Sequence, residues 1–157
     1  MPEPIKDYTT KEYWEVRTRK GIEANDFKGM LFEDGRFDEY ERRVKEVLYA
    51  WEDYSVLDVA CGYGRLAPIF DQYLGIDFSE EMIKLARERN EGKKFECLDV
   101  RKFKSKDMWD VVFEVNSLKS LDMSFEQFCE TFGRYARKFV ACLEADGFHI
   151  RQVYRKL

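Results

Sequence analysis

"VLDVACGYGRLAP", residues 56–68, decides how the rest of the chain is read. A short apolar run carries an acid, Asp58, and then breaks into a loop holding Gly62 and Gly64. A buried strand that ends in glycines brings bare backbone close to a ligand, because glycine tolerates positive φ and adds no side chain. "SVLDVAC" reads as the strand, and Gly64–Gln72 as a helix whose first amides would face negative charge.

Outward from this stretch, strands and helices alternate. "YLGID" (73–77) is a second strand. Ser79, Glu80 and Glu81 then open a helix with Met82, Ile83, Leu85 and Ala86 on one stripe, ending near Asn90–Gly92. "KKFECLDV" (93–100) and "WDVVFEV" (109–115) are the third and fourth strands. Ser124 and Gln127 cap a predicted 124–144 helix, along which Phe125, Phe128, Cys129, Phe132, Tyr135, Ala136, Phe139, Val140 and Leu143 recur. Asp146–Gly147 stops it, and "FHIRQVY" (148–154) is a fifth strand. Upstream, Thr9 and Glu12 are spaced as a capping box for a short helix to about Arg19, and residues 21–36 read as loop. Asp38 and Glu41 form a second box, with Tyr40, Val44, Val47, Leu48 and Trp51 on one helical face. The expected fold is α/β: a doubly wound, mostly parallel sheet of about five strands with N-terminal helices. Residues 1–157 are expected to form one domain, with a helical lid or cap at 1–54 and a ligand-binding core at 55–157.

Composition narrows the chemistry. At 157 residues, 45% hydrophobic and 16% aromatic, the chain can bury a core and is not of disordered type. No window reaches 18 uninterrupted apolar residues, and "MPEPIKDYTT" carries no apolar signal core, so a cytoplasmic protein with no membrane partner is expected. Cys61, Cys97, Cys129 and Cys142 lack metal-ligand spacing, and His149 is the single histidine. No metal is expected, and a single histidine removes most His-based triads. The net charge of −4 gives no global pull toward nucleic acid, although Lys84–Lys106 and Arg134–Lys156 lean basic.

In a doubly wound sheet the ligand sits at the carboxyl ends of the strands, where strand order reverses. Gly62-x-Gly64-x-x-Ala67 satisfies the loose dinucleotide pattern, with Asp77 as a ribose-binding acid, so an NAD-dependent oxidoreductase is one reading. Asp58 speaks against it. A pyrophosphate gives no reason for a carboxylate four residues before Gly62, whereas a ligand carrying an ammonium and a sulfonium does.

"VLDVACGYGRLA", "YLGIDFSEEMIKLAR", "FECLDV" and "WDVVFEVNSL", in that order, resemble the successive motifs of class I, Rossmann-like S-adenosylmethionine-dependent methyltransferases. The resemblance covers about residues 55–154. It implies S-adenosyl-L-methionine as cofactor, S-adenosyl-L-homocysteine as product, and no metal. It matches Asp58, Ala60, Cys61, Gly62 and Gly64 to the methionine-binding loop, and Asp77 to the acid that takes the ribose hydroxyls. Phe78 matches the residue packed on adenine, and Asp99 with Val100 the group that binds the adenine amine. Val115 and Asn116 match the wall between cofactor and acceptor. Ala60 replaces the usual first glycine, a change of little cost if that residue keeps an ordinary φ. The family's last helix and strands six and seven are expected to be absent. Strand five would then be an edge, and a homodimer through that edge or the 124–144 helix is expected.

The implied reaction is in-line methyl transfer to an O or N nucleophile, which needs alignment and a dry site more than a dedicated base. The candidate catalytic residues are Asn116, Glu114 and Tyr13, with Tyr8, Trp14, Arg17 and Tyr63 also near the expected methyl position. Glu114 has a plainer reading, as an acid at the rim or a partner of Arg65. "EVNSLKSL" lacks the prolines that follow strand four in enzymes methylating base amines of DNA, so a small-molecule acceptor is favoured, with RNA or protein acceptors left open. A non-catalytic or partner-dependent S-adenosylmethionine-binding subunit is the competing reading.

Overall fold

The structure, a computed structural model, describes residues 9–24 and 37–153. One sheet contains β1 (Val56–Val59), β2 (Tyr73–Asp77), β3 (Lys94–Cys97), β4 (Trp109–Val115), β5 (Ala136–Glu144) and β6 (Gly147–Gln152). The strand order is β3-β2-β1-β4-β5-β6, with β1 to β5 parallel and β6 antiparallel to β5. The helices are α1 (Lys11–Ala24), α2 (Phe37–Tyr49), α3 (Glu80–Arg89), α4 (Leu118–Leu121) and α5 (Phe125–Phe132). This is the expected doubly wound, mostly parallel α/β fold, with six strands in place of about five.

The central strands are buried on both faces and deal their residues alternately to two cores. From β1 and β4, Val56, Val111, Phe113 and Val115 join Tyr40, Val44 and Leu48 of α2, Trp51 in the turn after it, and Ile83 and Ala86 of α3. Leu57, Val59 and Val112 face the other way, onto Leu121 of α4 and Phe128 and Phe132 of α5. Period-two alternation into two apolar layers is the signature of a parallel sheet covered on both sides. The Tyr40 hydroxyl donates to the Leu143 carbonyl at 2.6 Å, pinning α2 to the end of β5.

The 124–144 helix is corrected. A capping box does open at Ser124, reciprocated by Gln127. The helix stops at Phe132, however, and after a short 3-10 turn at Gly133–Tyr135 the chain enters β5. Phe132, Tyr135, Ala136, Phe139, Val140 and Leu143 fit a helical stripe. In the fold, though, Phe139, Ala141 and Leu143 enter one core, and Val140 and Cys142 the other. A fully buried strand and a buried helix look alike in apolar spacing. The expected fifth strand is therefore β6, the antiparallel edge, and the long helix proposed as a dimer surface does not exist.

The Gly64–Gln72 helix is also replaced, by a 3-10 turn at Ala67–Ile69 that contains Pro68. Helix α1 runs to Ala24, past the expected Arg19, and the Tyr13 N–H meets the Thr10 hydroxyl, so Thr10 rather than Thr9 caps it. The loop after β1 is left-handed at three positions: Ala60 (φ 59°), Gly62 (60°) and Gly64 (74°). A Cβ on Gly64 would lie 2.8 Å from the Phe95 ring, so glycine is required there on two counts.

Ala60 does not keep an ordinary φ. A left-handed alanine costs about 1–2 kcal/mol, whereas Ala→Gly loosens the unfolded chain by about 0.4–1 kcal/mol. The strain is the larger effect. Ala60→Gly is expected to stabilise the protein by about 0.5–1 kcal/mol in urea denaturation; a destabilised variant would contradict this account of the loop.

Candidate functional site

A cavity opens at the carboxyl ends of β1, β2 and β4, where strand order reverses. The loop after β1 contributes Ala60, Cys61, Gly62 and Arg65, the end of β2 Asp77 and Phe78, and α3 Met82. Val115, Asn116, Ser117 and Ser120 close the β4 side, Tyr40 reaches in from α2, and Trp14 covers the cavity from α1.

Asp77 is the organising acid of this cavity. The Gly62 N–H donates to its Oδ2 and the Ser79 N–H to its Oδ1, both at 2.9 Å. Each oxygen keeps a further lone pair for a ligand hydroxyl. Burial pushes its carboxyl up to about 6 against the opposing pull of these backbone donors. Gly62 lies open to the cavity, since a Cβ there would meet nothing nearer than Met82 Sδ at 3.8 Å.

Asp58 stands behind the loop and not on the cavity wall. It is buried in β1 and takes a 2.6 Å hydrogen bond from the Tyr73 hydroxyl. Gly75 makes room for this pair, because a Cβ there would stand 2.8 Å from both the Tyr73 hydroxyl and the Cys61 sulfur. Arg65, by contrast, lines the cavity. Its Nε donates to Glu41 of α2 at 3.0 Å, in a pair with only 15% and 10% of the two side chains exposed.

Helix α1 is clasped onto the start of α3. The carboxylate of Glu15 accepts from the N–H groups of Glu80 (2.8 Å) and Glu81 (3.2 Å), and Lys11 pairs with Glu80 at 3.1 Å. Trp14 packs against Tyr63, Met82 and Leu85. A carboxylate at a helix N-terminus satisfies free amides and complements the helix dipole.

Of the expected site residues, Trp14, Ala60, Cys61, Gly62, Asp77, Phe78, Val115 and Asn116 share the cavity. Gly64 shapes the loop behind it. Asp99 accepts from Arg101 N–H, capping a 3-10 turn at Val100–Lys102, and Val100 is buried in the second core. Glu114 is wholly buried beneath the β4 wall, and the Tyr13 hydroxyl accepts from Arg17 at 2.7 Å, outside the cavity lining. Tyr8 lies outside the described residues. Tyr40, Arg65, Met82, Ser117 and Ser120 were not foreseen as lining. Tyr40 and Met82 look like ordinary core positions in an apolar stripe, and only the fold brings them to the strand ends.

The Asp58–Tyr73 pair makes stability depend on pH. Burial pushes Asp58 from 3.8 up to about 7, against the Tyr73 hydrogen bond and the charge of Arg65. The folded chain thus holds a proton that the unfolded chain releases. The stabilisation is complete below about pH 4 and declines as pH rises toward 7, by about 4 kcal/mol in all. Asp58→Asn is expected to flatten this slope in urea titrations run from pH 4 to 7; an unchanged slope would place the proton elsewhere.

A family model described as "Methyltransferase domain" matches residues 56–138, more than half of the chain. Among solved structures, the DhpI–SAH complex is 21% identical, with 99% of this chain and 83% of that one covered and a TM-score of 0.64. DhpI is also solved as a SAM–HEP complex. Magnesium protoporphyrin IX methyltransferase (ChlM) from Synechocystis PCC 6803, with bound SAM, is 15% identical, with 90% and 77% covered and a TM-score of 0.64. Streptomyces venezuelae DesVI is 20% identical, with 82% of this chain covered and a TM-score of 0.57; the chain spans only 56% of that protein. No curated protein matches the sequence. On the family match, and with the Rossmann-like fold shared by these structures, the chain belongs to the class I S-adenosylmethionine-dependent methyltransferase domains.

Proposed function

We propose that the chain transfers the methyl group of S-adenosylmethionine to an O or N nucleophile of a small molecule. One observation carries this reading: the buried Asp77 carboxylate at the strand reversal, with both oxygens oriented by backbone amides and lone pairs left for two vicinal hydroxyls. Asp77 would hold the ribose, Phe78 and Met82 the base, and the Ala60–Gly62 loop the methionine part. When bound, S-adenosylmethionine supplies a carbon already activated toward in-line displacement. A dinucleotide is disfavoured because no helix starts at Gly64 to receive a pyrophosphate; a 3-10 turn stands there.

The acceptor would lie between Trp14, Tyr40 and the Asn116–Ser120 wall, a small and largely apolar space. DhpI, whose fold this chain shares, is solved as a complex with both SAM and HEP. Of the three candidate catalytic residues, Asn116 is the one on the cavity wall, and we assign it the positioning of the acceptor. Asp99 and Val100 remain candidates for the adenine amine, at the end of β3 beside Phe78. Residues 1–54 act as the cap and 55–157 as the core. The exposed edge at β6, with Ile150 46% exposed, is the surface proposed for a homodimer.

Calorimetric titration with S-adenosylmethionine, S-adenosylhomocysteine and NAD tests the reading. The first two are expected to bind and NAD not. Asp77→Ala, which removes two hydrogen bonds to a charged group, is expected to weaken binding by about 100-fold. Binding of NAD alone would return the chain to the dinucleotide reading. For the edge, light scattering of the wild type is expected to give twice the mass of Ile150→Lys; equal masses would remove β6 as the contact.

A further inference from the structure

Behind the β4 side of the cavity lies a pair of acids that cofactor binding leaves unused. Glu114 alternates with Val111, Phe113 and Val115, so it faces the second core, opposite Cys142 in the register with β5. Its side chain is fully buried, and its Oε2 accepts from Ser117 N–H at 2.7 Å. Among the described residues, its Oε1 is buried and meets no N–H or O–H donor, and the same holds for Oε2 of Glu144 at the end of β5. The two carboxyls are neighbours at hydrogen-bonding range, with the Cys142 thiol beside Glu114.

Two ionised carboxylates in contact, out of water, repel each other without compensation. One proton between them converts two orphan acceptors into a donor and an acceptor. The other groups on this side of the pair are Cys142 beside Glu114, Asp146 in the turn after β5, Tyr40 from α2, Cys129 of α5 beyond Cys142, and His149 of β6, which pairs with Cys142 in the register and stacks on Phe125. Burial first, and the charge of Glu144 second, push Glu114 well above the usual carboxylate range.

The pair holds a piece of the cavity wall. Glu114 takes the Ser117 amide, and Glu144 faces the amides of Ser117 and Leu118. Between them Asn116 is left-handed (φ 53°), with its Oδ1 near Ala145 N–H at 3.4 Å. Asn116 and Ser117 are both lining residues.

We propose that Glu114 and Glu144 share one proton and that this pair is a positioning device, fixing the Asn116–Leu118 turn in the shape that the cavity needs. Its functional consequence rests on the cofactor reading above; the shared proton does not. The sign follows from linkage. The folded state keeps a proton that free glutamates release, so the stabilisation is full at acidic pH and is lost as pH rises through the pair's titration. Loss of the proton sets two charges against each other beneath the turn and loosens it.

The test uses the full chain as wild type, Glu114→Gln and Glu114→Ala. Infrared spectra are taken at about pH 8.5, above the range in which Asp58 and Asp77 titrate. The wild type is expected to show a protonated-carboxyl stretch, and Glu114→Gln to lack it. The glutamine still accepts from Ser117 and donates to Glu144, so the turn survives without a titrating proton. S-Adenosylhomocysteine affinity is accordingly expected to fall about tenfold in the wild type under alkaline conditions and to stay level in Glu114→Gln. Glu114→Ala is expected to lose affinity at every pH and to expose residues 116–121 to hydrogen exchange; if it fails to fold, the glutamine variant decides alone. Absence of the band in the wild type, or parallel pH profiles for wild type and Glu114→Gln, overturns the proposal. A wild type that binds no S-adenosylhomocysteine overturns the cofactor reading instead. The band and the pH dependence of exchange at 116–121 then decide the shared proton.

Discussion

The hydrogen bond from Gly62 N–H to the Asp77 carboxylate joins the two strand ends from which everything else at this site is built. It ties the loop after β1 to the end of β2 across the register that pairs Val59 with Ile76. For the amide to point that way the loop must turn left-handed at Ala60, Gly62 and Gly64, and β2 must end in an acid. The second oxygen of Asp77 then receives Ser79 N–H, just ahead of α3, whose N-cap is Ser79 itself. A single carboxylate therefore orders a loop, a strand end and a helix start, and still has acceptor capacity left over.

Most of this was legible in the sequence, for physical reasons that can be named. Strand β2 was read at its observed bounds because "YLGID" is short, apolar and bounded by a capped helix. Ser79 and Ser124 announced helix starts through side chains that bond nearby amides. Of the eight expected residues on the cavity, seven sit at strand ends or in the loops that follow them, which the doubly wound topology gathers by rule, and Trp14 comes from α1. Elsewhere the local pattern had two solutions. Residues 136–143 satisfy a helical stripe and a doubly buried strand equally well, and only pairing with β4 and β6 selects the strand. Arg65 and Tyr40 were invisible as lining because α2 is remote in sequence; their contacts, to Glu41 and Leu143, are long-range.

The site is built on acids held out of water. Asp58, Asp77 and Glu114 are all buried, and Arg65 is spoken for by Glu41. Their oxygens are satisfied by different local means: a phenol donor for Asp58, backbone amides for Asp77, and a backbone amide with a neighbouring carboxyl for Glu114. Each device costs stability in its own pH range, and each fixes a different part of the cavity surroundings. Such expense of stability near strand ends is expected where geometry has been selected over folding free energy.

The attachment of α1 is of a different kind from the rest of the molecule. Strands and helices of the core interlock through buried apolar layers, whereas α1 meets the core through Glu15, Lys11 and the half-buried Trp14. Exposed ion pairs contribute about 0–1 kcal/mol each, so this attachment adds less stability than the apolar layers that hold the sheet. Amides of α1 are therefore expected to exchange with solvent ahead of those in the sheet, a difference in lifetime between this helix and the strands beneath it.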